Sequence, residues 1–303
     1  MCIISSTVES VASTKIFCCA LEGGKRQILV YSNAVDTYLP NNTMILPVPN
    51  PDSVQFLNLK DYSTFFDDCA SSFVKPRDHH HLYASRSLSA GIHDSYDPLP
   101  VHSVGSYSAS IVPSIADFHR LDRQLFAIPS ALVNLLGEKY DDSFGYIVCR
   151  LKRGHHAYHP FAYMHDIHQN RLLFIPTYHI HPHSGTIAKE ARGDWDHCIY
   201  TAGTDIADGD DGTTYRFTNW KFAWNRLPTD LRWVEKIEGK RYRRKGYKEN
   251  KDLWLRNLYS DTRYFEVPEH MRYKPGDERN RDFPINGPSG LRQLRAYFRG
   301  ELS

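Results

Sequence analysis

Short apolar runs separated by turn-forming residues make up the N-terminal part of the chain. Residues 2–8, 14–20 and 26–32 are predicted strands, because they are rich in β-branched and aromatic side chains. Residues 21–25 join the last two, and their adjacent glycines suit a hairpin turn. Residues 44–49 are apolar but include two prolines, which cannot donate to a β-ladder. We therefore place this run at a sheet edge or strand end.

Helical spacing of apolar residues occurs in only a few places. Residues 60–73 carry apolar side chains three and four positions apart, which predicts a short amphipathic helix. A second helix is predicted to begin at Ser130, a good N-cap, another near 114–125, and a last one over 289–298. Residues 144–152 are apolar on both faces, which is typical of a strand in the centre of a sheet.

Together these patterns predict an α+β fold, with an antiparallel-rich sheet and a few short helices. The composition is that of an ordinary globular protein, since 41% of the residues are hydrophobic and 24% are charged. Tyrosine and phenylalanine, with 19 and 15 copies, favour strands. We therefore expect a strand-rich body.

Charge divides the chain into a body and an arm. Residues 1–230 carry 19 Lys and Arg against 24 Asp and Glu, a net of −5, whereas residues 231–303 carry 18 against 11, a net of +7. We predict a strand-rich body over 1–230 and a basic, aromatic arm over 231–303 that ends in a helix. Because its rings stand among Lys and Arg, the part 231–281 could bind single-stranded nucleic acid. Acidic residues are interspersed among these cations, so the arm could equally bind a protein partner or dock on the body.

Histidines are concentrated in the middle of the chain, where nine of the sixteen lie between residues 155 and 197. In a strand over 178–183, alternate residues would share one face, so three histidines would point the same way. Two imidazoles at i and i+2 can hold one Zn²⁺, and a nearby histidine and acid could complete a tetrahedral set. The alternative is that these histidines pack and hydrogen-bond without a metal. The predicted metal ligands are His179, His181, His183, His197 and Asp196.

Two classes of function compete on this sequence. A non-catalytic binding or assembly protein, with or without a structural zinc ion in its His-rich centre, should expose an apolar or aromatic patch. A metal-dependent hydrolase would use His179, His181 and a nearby acid, and the His-x-His-Pro segment resembles part of the signature of JAMM-type zinc peptidases. That signature also needs a downstream Ser-x-x-Asp, which residues 184–198 lack. The binding protein is therefore the primary interpretation and the hydrolase the alternative.

A further resemblance rests on apolar motifs in the first 180 residues. The series is an early Cys2, residues 13–17, the strand 26–31 and the run 44–49, followed by residues 144–148. On these motifs the chain resembles an uncharacterised family of bacterial secreted proteins, described only as a domain of unknown function. The resemblance implies a shared fold over roughly residues 1–180 and implies no activity.

Six cysteines bear on the compartment. None has Cys-x-x-Cys spacing, and Cys18, Cys19 and Cys149 stand among apolar residues, so we expect reduced, buried thiols. The first residues include no basic start and no sustained apolar run, and no window is apolar enough to span a bilayer. We therefore expect a cytoplasmic protein without a membrane span, whose partner is another protein or a second copy of itself.

Overall fold

The computed structural model of the protein describes residues 3–21, 24–71, 98–167, 172–180, 182, 192–202, 204–206, 213–217 and 239–257. Within these ranges the chain forms three β-sheets and two α-helices, α1 (Phe65–Ser71) and α2 (Ser130–Lys139). Short 3-10 helices lie at Pro51–Ser53, Lys60–Tyr62 and Ile115–Arg120. None of the helices in these ranges is long and apolar enough to cross a membrane.

A five-stranded sheet is antiparallel throughout. Its strands lie side by side in the order β1 (Ile3–Ile4), β4 (Thr43–Pro49), β8 (Phe144–Arg150), β7 (Tyr107–Val112) and β6 (His102–Val104). β8 is the central strand, and its first six residues are buried. This confirms the central strand predicted over 144–152.

An eight-stranded sheet forms the other large layer. Its main path is β14 (Thr213–Phe217), β15 (Gly239–Glu249), β12 (Arg192–Ala202), β2 (Ser10–Leu21), β3 (Arg26–Thr37), β10 (Phe161–Asp166) and β5 (Gln55–Asn58), and β9 (Gly154–Ala157) also pairs with β3. All pairs are antiparallel except β2 with β12, which run parallel. The β2–β3 ladder pairs Leu21 with Arg26, which confirms the predicted hairpin.

A small three-stranded sheet completes the described fold. Its order is β11 (Leu172–Ile175), β16 (Leu253–Asn257) and β13 (Thr204–Ile206), with both pairs antiparallel. Two buried side-chain amides help to hold the segment 172–180 in place. Gln27 of β3 bonds to both the N–H and the C=O of Phe174, and Asn250 bonds in the same way to His179. Each amide thus replaces a missing strand neighbour.

The two large sheets pack face to face, and a helix covers the outer face of each. Alternate residues along β2 point in opposite directions, so Ile16 joins the core between the sheets whereas Phe17 packs with α1. In β4, Leu46 faces the shared core and Ile45 belongs to the group packed with α2. The layers are therefore α2, the five-stranded sheet, the eight-stranded sheet and α1.

Two prolines in β4 are tolerated because β4 is paired on one side only where they occur. It pairs with β8 over seven residues but with β1 over only two. The C=O of Thr43 faces β1, since it accepts a hydrogen bond from the N–H of Ser5. By alternation Pro47 and Pro49 face the same side, beyond the end of β1. Their missing donors therefore break no ladder, and β4 is an edge strand at its prolines.

The expected α+β class was wrong, because the chain is predominantly β in the residues that the structure describes. The helix expected near 114–125 is only a short 3-10 helix. The larger difference lies in the predicted arm, where β15 and β16 join the sheets. β15 pairs with β12 over eleven residues and buries Tyr242, and both contacts stabilise it as a strand. Its many charged residues kept the sequence from showing which positions are buried and which are exposed. The helix expected over 289–298 lies outside the described residues.

Candidate functional site

A buried group of rings lies on the inner face of β12. Trp195 and His197 are each 1% exposed, and their ring centroids lie 4.6 Å apart. His179 packs edge-on against the same indole at 5.9 Å. From β15, the guanidinium carbon of the buried Arg244 lies 4.0 Å from the centroid of the indole. A cation–π contact of this kind stabilises a cation that is removed from water.

The predicted metal ligands are only partly brought together. His179 and His197 contact the same tryptophan, but Asp196 is exposed on the opposite face of β12, because successive residues of a strand alternate. The Oδ2 of Asp196 accepts a hydrogen bond from the backbone N–H of Ser13 at 3.0 Å. His181 and His183 lie outside the described residues. Among the residues that are described, no three His, Cys, Asp or Glu side chains are grouped as metal ligands.

The ring of His179 is enclosed rather than open to water. It is 5% exposed, and it lies so close over Gly193 that a Cβ built on that glycine would be 1.6 Å from its Nε2. Burial lowers the pKa of His179 to about 4, so the imidazole is neutral at physiological pH. A catalytic metal ion needs one coordination position that is open to water and substrate. An enclosed ring of this kind suits packing better than hydrolysis.

Other histidines of the central group are spread over the fold. The Nε2 of His159 accepts a hydrogen bond from the N–H of Ser106 at 2.8 Å, in the turn between β6 and β7. The buried His165 donates from Nδ1 to the carbonyl of Asp166. The Nδ1 of His155 lies 3.7 Å from a carboxylate oxygen of Asp36 on the surface. These histidines are close together in the sequence, but in the fold each one lies in a different turn or strand.

Acid should destabilise the fold through two buried histidines. Burial lowers the pKa of both His165 and His179 from 6.5 to about 4. Between these values the unfolded chain binds protons that the folded protein does not bind. The free energy of unfolding should therefore fall as the pH drops from about 6.5 to about 4. For each histidine the loss is about 1.4 kcal/mol for every unit by which its pKa differs between the folded and the unfolded chain. Urea unfolding, followed by tryptophan fluorescence at a series of pH values, measures this slope.

The variant His165→Asn should have a shallower slope, because its side-chain amide still donates a hydrogen bond but does not titrate. His155→Gln is the matched control, since the side chain of His155 is 68% exposed and its loss removes an imidazole from the surface only. If His165→Asn kept the slope of the unchanged protein, the acid sensitivity would arise elsewhere in the chain.

A surface groove lies where the 3-10 helix Ile115–Arg120, the loop after it and the start of α2 meet. Its volume is about 690 Å³, within the range of binding sites for side chains and small molecules. Phe126 and Leu121 form part of the floor and are 2% and 6% exposed, because they also belong to the core under α2. The main apolar residues of its wall and floor are Ile115, Phe118, Leu121, Phe126, Ile128 and Val133.

The loop between β3 and β4 is attached to this groove. The N–H of Ala127, a lining residue, donates to the carbonyl of Asn41 at 3.2 Å. Just before Asn41, the side chains of Tyr38 and Leu39 are 61% and 42% exposed, although both are large and apolar. We call the groove together with Tyr38 and Leu39 the apolar face. Large apolar side chains that stay exposed beside a concave surface are typical of an interaction site.

The charge of the apolar face is positive. His119 and Arg123 line the groove, and no acidic side chain is among its lining residues. The nearby Asp117 is already paired with Arg120 at 3.0 Å, and its hydrogen bonds with Ser114 and Arg120 hold the pKa of its carboxyl below the usual value. An incoming acidic group would therefore meet Arg123, with no carboxylate among the described lining residues.

Sequence reasoning missed the apolar face because distant segments of the chain form it. Ser6, the loop between β3 and β4 and residues 115–134 are far apart in the sequence and lie together only in the folded chain. One local signal was available. The turn Tyr38-Leu39-Pro40 places two large apolar residues where turns usually carry polar ones.

The fold and these contacts define a predominantly β protein with two large sheets, one small sheet and an apolar groove on one side. No protein-family model matches the chain. The resemblance to a family of bacterial secreted proteins therefore stays a prediction. Among solved structures the chain is similar to the crystal structure of baculovirus P35, with 14% sequence identity and a TM-score of 0.43 over 85% of this chain and 99% of that chain. Nothing about the function of this chain follows from a likeness at this level.

Proposed function

We propose that this protein is a non-catalytic binding protein that docks a protein partner on its apolar face. The observation that carries the proposal is the groove of about 690 Å³ beside the exposed Tyr38 and Leu39. The floor of the groove belongs to the core, so it is already ordered before a partner arrives. A preformed site avoids part of the ordering cost of association, and exposed tyrosines are common among the residues that dominate binding energy.

The chemistry of the groove favours a partner segment with apolar side chains and a neighbouring acidic residue. Arg123 supplies donors for a carboxylate. The first residue of α2, Ser130, also lines the groove, and the start of a helix favours negative charge. The apolar walls would hold one or two aliphatic or aromatic side chains. The partner is either another protein or a second copy of this chain.

The nucleic-acid alternative has less support in the part of the arm that is described. On the outer face of β15, Lys245 lies directly across from Asp196, and Glu249 across from Arg192. These acids offset part of the basic stripe. Nucleic-acid binding depends on an excess of cations that replace counterions on the phosphates. The face around the groove, in contrast, combines apolar surface with the basic side chain of Arg123.

We also propose that the protein works in a reducing compartment such as the cytoplasm. The five cysteines in the described part of the chain, Cys18, Cys19, Cys69, Cys149 and Cys198, are free thiols, and four of them are buried. Structural disulfides are typical of oxidising compartments, whereas buried free thiols are common where glutathione keeps cysteine reduced.

Selection of peptides from a random display library on the folded protein tests the proposed function. We expect the enriched peptides to combine an aromatic or aliphatic residue with a nearby Asp or Glu. The double variant Tyr38→Ser, Leu39→Ser should weaken their binding by about tenfold or more, since it removes the exposed anchors. Fluorescence polarisation of the labelled peptides measures the change. Sedimentation velocity of both proteins shows whether the same variant abolishes self-association.

Tyr247→Ser is the matched control, because the side chain of Tyr247 is 66% exposed and lies on β15 of the other sheet. It should leave peptide binding and self-association unchanged. Peptides that bind the double variant as tightly as the unchanged protein, or that lose binding with Tyr247→Ser, would place the interaction away from the apolar face.

A further inference from the structure

Two cysteines from distant parts of the chain meet on the outer face of the eight-stranded sheet. Cys69 of α1 and Cys198 of β12 pack in the same apolar group under α1. The ring of Phe66, one turn before Cys69, lies 6.0 Å from that of Tyr200, which follows Cys198 on the same face. Cys198 is thus packed against the group of buried side chains to which Cys69 belongs. The packing of α1 on the sheet therefore brings together two sulfurs that are 129 positions apart in the sequence.

Cys198 lies between two cations. In the register of the sheet its direct neighbours are Lys15 on β2 and Arg243 on β15, and paired residues of adjacent strands point to the same face. Cys198 is half-buried, so a small reagent can reach it. The hydroxyl of Tyr200 hydrogen-bonds to its sulfur. Basic side chains beside a partly exposed cysteine are typical of the surroundings of reactive cysteines.

Cys69 has the complementary setting. Its side chain is fully buried, and burial, with a smaller contribution from Asp68, raises the pKa of its thiol well above 9.0. A buried neutral thiol does not react first with an oxidant, but it can react with an oxidised sulfur beside it. Cys18 and Cys19 are also fully buried, and burial raises the pKa of both thiols.

We propose that Cys198 and Cys69 form a peroxide-reactive dithiol, which on oxidation links α1 to β12 by a disulfide. The thiolate of Cys198 attacks the terminal oxygen of a hydroperoxide, the O–O bond breaks, and the alkoxide leaves as an alcohol after taking a proton. Cys198 is then a sulfenic acid. The sulfur of Cys69 attacks the sulfur of Cys198, the S–O bond breaks, and the hydroxide leaves as water with the proton of Cys69.

The balance of this sequence is two thiols and one hydroperoxide in, and one disulfide, one alcohol and one water out. Two electrons pass from the sulfur atoms to the peroxide oxygen. The disulfide needs the two Cα atoms to lie within about 7 Å, so α1 and β12 have to reach this separation as the bond forms. The inference is independent of the apolar face, which lies on the other outer layer of the fold.

Treatment of the reduced, folded protein with hydrogen peroxide tests the proposal. After alkylation of the remaining thiols, peptide mass spectrometry should find a disulfide between Cys69 and Cys198. Cys18, Cys19 and Cys149 are internal controls and should be alkylated only after denaturation. In Cys69→Ala, which lacks the second thiol, dimedone should trap the sulfenic acid on Cys198.

Two charge variants test whether Cys198 reacts because of its neighbouring cations or only because it is exposed. Lys15→Gln and Arg243→Gln should each slow the oxidation of Cys198 by about threefold to tenfold, because each removes one cation beside the attacking thiolate. Lys248→Gln, on the same strand as Arg243 but pointing to the other face, should have no effect. The proposal is overturned if Cys198 stays reduced under peroxide, if its disulfide forms with another cysteine, or if all three variants oxidise at the same rate.

Discussion

Replacing Asp252 with alanine is expected to lower the free energy of unfolding by about 3–5 kcal/mol. The Asp252 carboxylate is 8% exposed and accepts three hydrogen bonds, from the N–H groups of Thr177 and Tyr178 and from the hydroxyl of Tyr140. It therefore joins the start of β16 to the segment before His179 and to the end of α2. Alanine would leave three buried donors without an acceptor, and each costs about 1–3 kcal/mol. Urea unfolding followed by tryptophan fluorescence measures the loss.

Asp252→Asn separates the hydrogen bonds from the charge. The Oδ1 of asparagine can still accept from Thr177 and Tyr178, and its amide nitrogen can donate to the hydroxyl oxygen of Tyr140. Burial raises the pKa of Asp252, so removing its charge also removes a desolvation cost. We expect Asp252→Asn to lose about 1 kcal/mol or less. Asp141→Ala is the exposed control, since that carboxylate accepts hydrogen bonds from Ser143 on the surface, in its own turn. Equal losses for Asp252→Ala and Asp252→Asn would contradict the role of the three donors.

Local pattern was enough to predict the elements whose stability is local. The glycine turn at 21–25 joins β2 and β3, and the apolar spacing in 60–73 marks α1, which buries Phe65, Phe66 and Cys69. α2 lies where a helix was predicted, but Pro129 is its N-cap and Ser130 is its first residue, so the prediction of Ser130 as the cap was wrong by one position. In each case a short window contains both the apolar face and the residues that end the element. The pattern within such a window can therefore be recognised without knowing which other elements pack against it.

The arm could not be predicted in this way, because its strand forms only against a partner strand. In β15 the buried positions include Arg244, which is stabilised by the indole of Trp195 rather than by an apolar environment of its own. A pattern of alternating apolar and polar residues is therefore absent from the sequence. β15 pairs with β12, and β12 in turn pairs in parallel with β2. This second pairing joins residues more than 180 positions apart.

The candidate sites differ in the same respect. Period-two alternation correctly places Trp195 and His197 on one face of β12, and Asp196 on the other. The same alternation does not apply to residues 176–179, which are not part of a strand. Their position depends on the amide of Asn250 and on the space above a glycine. The apolar face and the Cys69–Cys198 pair need the complete layer order, which no single window contains.

Replacing Gly193 with alanine is expected to lower the free energy of unfolding by about 2–3 kcal/mol. The added Cβ would lie 1.6 Å from Nε2 of His179 and within 3 Å of two further atoms of that ring. The ring cannot withdraw easily, because Trp195 packs against it and Asn250 holds its backbone at both the N–H and the C=O. Because the indole of Trp195 must shift with it, near-ultraviolet circular dichroism should change together with the urea midpoint.

Gly137→Ala is the matched control for the loss of a glycine. Its Cβ would lie 3.6 Å from the nearest atom, a methyl carbon of Ile115, and it stands inside α2, so the change should be neutral or stabilising by up to about 1 kcal/mol. A double-mutant cycle tests the cause directly. His179→Ala removes the ring that the new methyl group would meet, so Gly193→Ala should cost far less in that background than in the unchanged protein. Equal costs in the two backgrounds would mean that the strain arises in the backbone of β12, and that His179 is not held in place by the absence of a side chain at residue 193.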